Sequence, residues 1–245
     1  MTPYTLITGA ASGIGRATAR ALAAQGHALG LIDQDAAGLS SLLAELGTDH
    51  HMAAMDVADP SAWAALDIGR PLTGAVISAG ISEAAMITDM SFEDWRKVMS
   101  VNLDGAFLGL QTVLKHASDG ASLVAVSSAT GHKPTPMTAA YGASKAGLSQ
   151  LVKTAALEAA PRHIRVNAVA PAGVKTPMFS DQPFFDALKA EHGSEAAAWA
   201  ALGQSIPLGR YAEPDEVARM IAFLLGEDSA TITGAILNCD GGYGL

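Results

Sequence analysis

The 245 residues are 49% hydrophobic and only 16% charged, which excludes a disordered chain and demands a large core, with further surface buried against other subunits. Fifteen basic and 24 acidic side chains leave a net charge of −9, which repels phosphate backbones and argues against a nucleic-acid partner. The lone cysteine, Cys239, leaves neither an internal disulfide framework nor a cysteine-based zinc site.

Met1-Thr2-Pro3-Tyr4 carries no basic or apolar leader pattern, and no apolar run approaches the ~18 residues of a membrane span, so a soluble cytoplasmic protein is expected. Tyr4–Thr8 (YTLIT) reads as a strand, followed by Ile14, Ala17, Thr18, Ala21 and Leu22 at helical spacing, with Gly26 as the stop. Ala28–Asp33 is a second strand, Leu42, Leu43 and Leu46 mark a helix, and 51–57 is a third strand. A short helix around Trp63 leads to a fourth strand at 74–79. A long helix runs from Ser91, with Asp94 three residues on in a capping-box-like start, to His116. Strand 123–127, helix 139–160 stopped by Pro161, and strand 164–170 come next. Pro214 opens a helix whose Val217, Met220, Ile221, Leu224 and Leu225 share one face, and strand 235–239 closes the pattern.

Strands that are almost continuously apolar, alternating with helices, specify an α/β fold: a doubly wound, seven-stranded parallel sheet with helices on both faces. No linker or repeat interrupts it, so a single domain over 1–245 is expected, with ligands bound outside the carboxyl ends of the strands.

Between the first strand and helix lies Thr8-Gly9-Ala10-Ala11-Ser12-Gly13-Ile14-Gly15. Glycines there permit a tight turn and let first-turn amides face a pyrophosphate, although any strand-to-helix turn can use glycine and the spacing is G-x-x-x-G-x-G. Asp33 closes the second strand, where a carboxylate accepts hydrogen bonds from an adenosine ribose and repels the extra phosphate of NADP. The other reading of this acid is a helix cap for the segment beginning at Asp35. Asp56 and Val57 either bracket an adenine or simply begin a loop.

Tyr141 and Lys145, four apart, share one face of the 139–160 helix, a spacing that packing alone can also produce. Ser128 stands upstream at the end of the fifth strand. With Thr8–Gly15, Ser78-Ala79-Gly80, Asn102, Ser127-Ser128, Pro171 through Thr176 and Asp240-Gly241-Gly242, this series resembles the short-chain dehydrogenase/reductase family over essentially the whole chain.

The resemblance implies a Rossmann-type fold and hydride transfer with NAD. It implies Tyr141 as general acid/base, its pKa near 10 lowered by Lys145 and the nicotinamide charge. Ser128 would hold the substrate oxygen and Lys145 the nicotinamide ribose. Asn102 would mark a helix kink whose freed carbonyl holds a water; otherwise it is an ordinary buried, satisfied asparagine. Gly9, Ser12, Gly13, Ile14, Gly15, Asp33, Asp56, Val57, Ser78, Ala79, Gly80, Tyr141 and Lys145 would line the cofactor, and Pro171, Val174 and Thr176 its nicotinamide end. Ser78, Ile77 and Ala172 depart from residues common in the family and affect local geometry rather than the reaction class.

The stretch 177–207 would form a substrate lid, with Met137, Met178, Phe179, Phe184 and Phe185 bordering an apolar pocket; these side chains could equally pack the lid onto the body. The seven histidines show no ligand spacing, so no metal site is expected. Small residues along the Tyr141 helix allow close helix approach within the monomer or between subunits, and the family resemblance implies a homotetramer. The expected activity is oxidation of a hydrophobic or cyclic secondary alcohol, or reduction of its ketone. Two alternatives are an NADPH-dependent 3-oxoacyl thioester reductase, against which Asp33 and the acidic charge argue, and a non-catalytic nucleotide-binding protein, against which the Ser128–Tyr141–Lys145 set argues.

Overall fold

The computed structural model describes residues 2–47 and 49–245; of the opening Met1–Tyr4 run, Met1 lies outside them. Seven strands, β1 (Tyr4–Thr8), β2 (Ala28–Asp33), β3 (His51–Ala54), β4 (Leu72–Ile77), β5 (Ala117–Val126), β6 (Arg165–Pro171) and β7 (Ile236–Cys239), form one sheet in the order β3-β2-β1-β4-β5-β6-β7. Every pairing is parallel, from Tyr4 opposite Ala28 to Pro171 opposite Cys239. Because β2 and β4 flank β1 on opposite sides, the chain reverses its winding there and a crevice opens between the carboxyl ends of β1 and β4.

The period-2 alternation of a strand sorts its side chains between two cores. On one face Leu6, Ile32, Leu123, Ala125, Val166 and Ala168 pack under α3 (Pro60–Ala65), α5 (Gly105–His116) and α6 (Ala139–Ala159), through Trp63, Leu110, Val113, Leu148 and Val152. On the other, Ile7, Leu29, Leu31, Val124 and Val169 meet α1 (Gly13–Ala24), α2 (Ala36–Leu46) and α10 (Pro214–Leu225), through Leu22, Leu39, Leu42, Val217, Ile221 and Leu224. Each fully buried leucine or isoleucine contributes about 1.5–3 kcal/mol of transfer free energy, which makes this double core the main stabilising element.

The element boundaries differ from expectation where hydrogen bonding overrides composition. β3 ends at Ala54 rather than Val57, because after a last bond from the Met55 N–H to the Asp33 carbonyl the chain leaves β2 and turns Asp56 and Val57 toward the crevice. β4 lies two residues earlier than expected. β5 begins at Ala117, six residues early, with a register irregularity opposite Leu72 and Gly74. The long 91–116 helix is three consecutive pieces: α4 (Phe92–Met99), a π-helical turn over Ser100–Asp104, and α5. The Ser91 hydroxyl caps α4 by accepting from the Asp94 N–H at 3.0 Å.

Between β6 and α10 the 177–207 segment, expected from the sequence to be a lid, folds as three short helices, α7 (Pro177–Ser180), α8 (Pro183–His192) and α9 (Glu195–Gly203). Its own small core joins Phe185, Ala198, Trp199, Ile206 and Tyr211. Among the described residues no helix is long and apolar enough to cross a membrane.

Candidate active site

The turn after β1 is built from three glycines that no other residue could replace without movement. Gly9 has φ +68, and a Cβ on it would stand 2.8 Å from the Ala79 nitrogen; one on Gly15 would stand 2.0 Å from the Gly9 carbonyl oxygen. Gly13, at φ +50, faces Thr176 across the cleft. The turn is also fastened to its neighbours. The Thr8 hydroxyl accepts from the Ser78 and Ala79 N–H groups at 3.0 and 3.1 Å, locking the ends of β1 and β4 together. These are backbone contacts, so serine at position 78 does not disturb them. Ser12 precedes α1 without a side-chain cap, so the first-turn amides remain directed at the crevice.

Asp33 does not cap α2; that position belongs to Asp35, whose carboxylate accepts from the Ala37 and Gly38 N–H groups. Instead one Asp33 oxygen accepts from the Ala11 N–H at 3.0 Å and the other from the Asp35 N–H at 3.1 Å. Both oxygens keep a lone pair, and the side chain lines the cleft with Gln34 and Asp35. The sequence reading missed Arg16, which bonds the Ala11 and Gly38 carbonyls and pairs with Glu45, tying the glycine turn to α2.

At the other end of the crevice, α6 presents Tyr141 and Lys145 on one face, with the Lys145 Nζ 5.6 Å from the Tyr141 ring centre. Lys145 is 3% exposed, and its ammonium donates to the Val126 carbonyl at 2.8 Å. Burial brings its pKa down to about 8, because the charged form is poorly solvated there. The net shift at Tyr141 is upward, against the lowering expected beside Lys145: burial raises it and outweighs the downward pull of the neighbouring Ser128 hydroxyl. Ser128 follows β5 and is 5% exposed.

Asn102 sits inside the π-helical turn, where the extra residue per turn displaces the backbone ladder. The helix is distorted here, and the side chain is buried and satisfied. Its Oδ1 accepts from the Ile81 N–H at 2.8 Å, and its Nδ2 donates to the Ile81 carbonyl at 2.9 Å and the Ser144 hydroxyl at 3.1 Å. Ser144 in turn donates to the Tyr141 carbonyl. A Cβ on Gly80 would lie 3.3 Å from the Asn102 Oδ1 and 3.4 Å from the Lys145 Nζ, so these two groups face one gap that a side chain at position 80 would crowd.

The glycine turn, Asp33, Asp56, Val57, Ser78, Ala79, Gly80, Tyr141, Lys145, Pro171, Val174 and Thr176 line a single cleft of about 660 Å³. Of the expected pocket residues, Met178 and Phe179 line it and three others do not. Phe185 is fully buried, its ring 4.3 Å from that of Trp199 inside the lid core. Phe184, the next residue round the helix, is 45% exposed and meets Phe179 edge-on. Met137 is also exposed, with φ +67, and its carbonyl accepts from the Ala85 N–H.

Tyr211 went unread in the sequence. Its ring packs on Phe179 and Trp199 and fills the space where a Cβ of Gly173 would fall, 2.3 Å away. Backbone bonds from the Lys175 N–H to the Ala212 carbonyl and from the Ala212 N–H to the Gly173 carbonyl close the base of the lid. Gln182 and the Lys97–Glu83 ion pair also border the cleft. Among the described residues no three His, Cys, Asp or Glu side chains gather as a metal site would require.

A family model described as enoyl-(acyl carrier protein) reductase matches residues 9–244. The chain is 38% identical over 251 residues to a D-threitol dehydrogenase of Mycolicibacterium smegmatis, covering 97% of this chain and 91% of the relative. It is 36% identical over 249 residues to a cis-4-hydroxycyclohexanecarboxylate dehydrogenase of Sinomonas cyclohexanicum, covering 97% and 95%. The crystal structure of levodione reductase superposes with a TM-score of 0.87 at 31% identity, covering 99% of this chain and 97% of that one.

Proposed function

The chain belongs to the short-chain dehydrogenase/reductase family of oxidoreductases, which bind nicotinamide cofactors, and from that premise we propose that it interconverts a cyclic or otherwise hydrophobic secondary alcohol and its ketone with NAD. The observation that carries this reading is one cleft running from the Asp33 carboxylate, past the glycine turn, to Tyr141 and Lys145 and then to Met178 and Phe179. A dinucleotide fits these residues: the turn packs so closely that side chains are excluded at Gly9 and Gly15, and the first-turn amides of α1, which no side chain caps, would receive its pyrophosphate.

When bound, the nicotinamide supplies or accepts the hydride; the protein positions the reactants and moves the proton. Tyr141 donates its phenolic proton to the substrate oxygen in reduction and takes it back in oxidation. Lys145, held at the Val126 carbonyl, places a cation near that phenol and favours its ionised form. Ser128 donates to the same substrate oxygen and offsets the charge developing on it. Two acids, Asp33 and Asp35, at the adenosine end disfavour an additional phosphate, which supports NAD over NADP. Met178 and Phe179 supply an apolar wall for the substrate's carbon frame. The helical surface of α5 and α6, with exposed Phe107 and Leu157, supports assembly as a homotetramer, and a cytoplasmic location belongs to the same reading.

Tyr141→Phe tests the reading. Turnover of a cyclic secondary alcohol should fall roughly 10²–10⁴-fold, the usual worth of a positioned acid/base, while NADH affinity stays within about twofold. Undiminished turnover would remove Tyr141 from the chemistry.

A further inference from the structure

Thr130 lies two residues beyond Ser128, in a short 3₁₀ turn over Ala129–Gly131. Its hydroxyl donates to the Ser128 Oγ at 2.9 Å, and its backbone N–H donates to the same atom at 3.2 Å. A serine hydroxyl carries one proton and two lone pairs. Both lone pairs of Ser128 are therefore taken from one side, by one residue. What remains is the proton, which reaches the Pro171 carbonyl only at 3.4 Å, too long for a strong bond, and which has the Tyr141 hydroxyl as its other neighbour.

We propose that Thr130 is a positioning residue that fixes Ser128 as a hydrogen-bond donor toward the reacting oxygen. The consequence concerns Tyr141, which shares that oxygen with Ser128 under the mechanism above, on which this inference rests. A serine with a free lone pair would accept the phenolic proton of Tyr141, and the two hydroxyls would satisfy each other instead of the substrate. With its lone pairs filled by Thr130, Ser128 can only donate, either to a substrate carbonyl or to the Tyr141 oxygen. Both hydroxyls then converge on one substrate oxygen as donors, the arrangement that stabilises developing negative charge. A donor-only Ser128 also favours the phenolate over the phenol, in line with the lowering influence of Ser128 on Tyr141.

Thr130 carries this role through its side chain as well as its backbone, so the two can be separated. Thr130→Val keeps the branched shape and the N–H and removes only the hydroxyl. Thr130→Ser keeps the hydroxyl. Two readouts are measured on each. The first needs no substrate: ultraviolet difference titration of the Tyr141 phenolate, isolated by subtracting the Tyr141→Phe protein. The second is turnover of a cyclic secondary alcohol with NAD.

In Thr130→Val the Tyr141 midpoint should rise by roughly half a unit to one unit, the worth of one hydrogen bond whose direction reverses. The kcat should fall by roughly tenfold with the cofactor affinity unchanged, and Thr130→Ser should restore both. In a Ser128→Ala background, Thr130→Val should move neither readout, because the group it orients is gone. An unmoved midpoint in Thr130→Val overturns the proposal. So does an equal shift in the Ser128→Ala background, or a loss that Thr130→Ser fails to restore and that follows a lower Tm. Absence of turnover by the unaltered protein, with the midpoint shift intact, would instead count against the proposed substrate class and leave the Thr130–Ser128–Tyr141 linkage standing.

Discussion

Replacing Asn102 with alanine probes whether the π-helical turn matters for more than backbone shape. In the folded protein its side chain makes three hydrogen bonds while fully buried, two of them to the backbone N–H and carbonyl of Ile81. Alanine leaves both Ile81 groups without partners, at about 1–3 kcal/mol for each stranded group. Ile81 borders the cleft, so water reaches part of the gap and the lower half of that range applies, about 3 kcal/mol in total. For a chain of this length such a loss lowers Tm by about 6–12 °C. The 78–82 stretch would also relax away from the gap shared with the Lys145 Nζ, and kcat at a temperature where the variant stays folded should fall by roughly tenfold. Calorimetry and steady-state kinetics on the same preparation measure both. A Tm within about 2 °C of the parent would refute the bond accounting, and a large Tm loss with unchanged kcat would refute the link to Lys145.

Phe185→Ala should destabilise by about 3–5 kcal/mol by hollowing the lid core, whereas Phe184→Ala next to it should stay within about 0.5 kcal/mol; thermal unfolding of the pair checks the assignment of the two faces of α8. The buried Lys145 gives a pH signature. Its folded pKa of about 8 lies below the unfolded value near 10.5, so the unfolded chain holds the extra proton between them and this lysine penalises folding below pH 8. The penalty fades as pH rises, so between about pH 8 and 10.5 the cofactor-free protein should gain stability relative to Lys145→Met; the Cys239 thiol, raised to about 11 by burial, opposes this in absolute stability but is common to both proteins and cancels in the difference. Denaturant titrations of both proteins across this window measure the difference, and parallel curves would contradict a buried, shifted lysine.

The sheet was legible because its strands are apolar on both faces, so runs such as Ala28–Asp33 stand out against the helical spacing around them. The start of β5 was not, since Ser118-Asp119-Gly120 has turn chemistry and becomes strand only through its parallel neighbour. A π-helical turn inserts a residue without altering the hydrophobic pattern on either side, and Asn102 with Gly105 is its only trace in the sequence. A Cβ at Gly105 would stand 2.9 Å from a Val57 methyl, which explains that glycine by packing.

Motif spacing singled out Ser128, Tyr141 and Lys145, which come from different elements: Tyr141 and Lys145 line the cleft from α6, and Ser128, just after β5, stays outside the lining and meets Tyr141 from the side. It could not sort the lid aromatics. Phe184 and Phe185 are adjacent in sequence but about 100° apart around a helix, and which one turns inward is decided by Trp199 and Tyr211, distant in the chain. Thr130 and Arg16 carry no motif of their own; their significance rests on which atoms they reach.

The most direct test of the whole account is a fluorescence titration of the purified protein with NADH and with NADPH, repeated on Asp33→Arg. The account predicts tight NADH binding, NADPH binding weaker by at least tenfold, and a reversal of that preference in the variant. Tighter NADPH binding by the unaltered protein, or a preference that Asp33→Arg leaves unchanged, would contradict it.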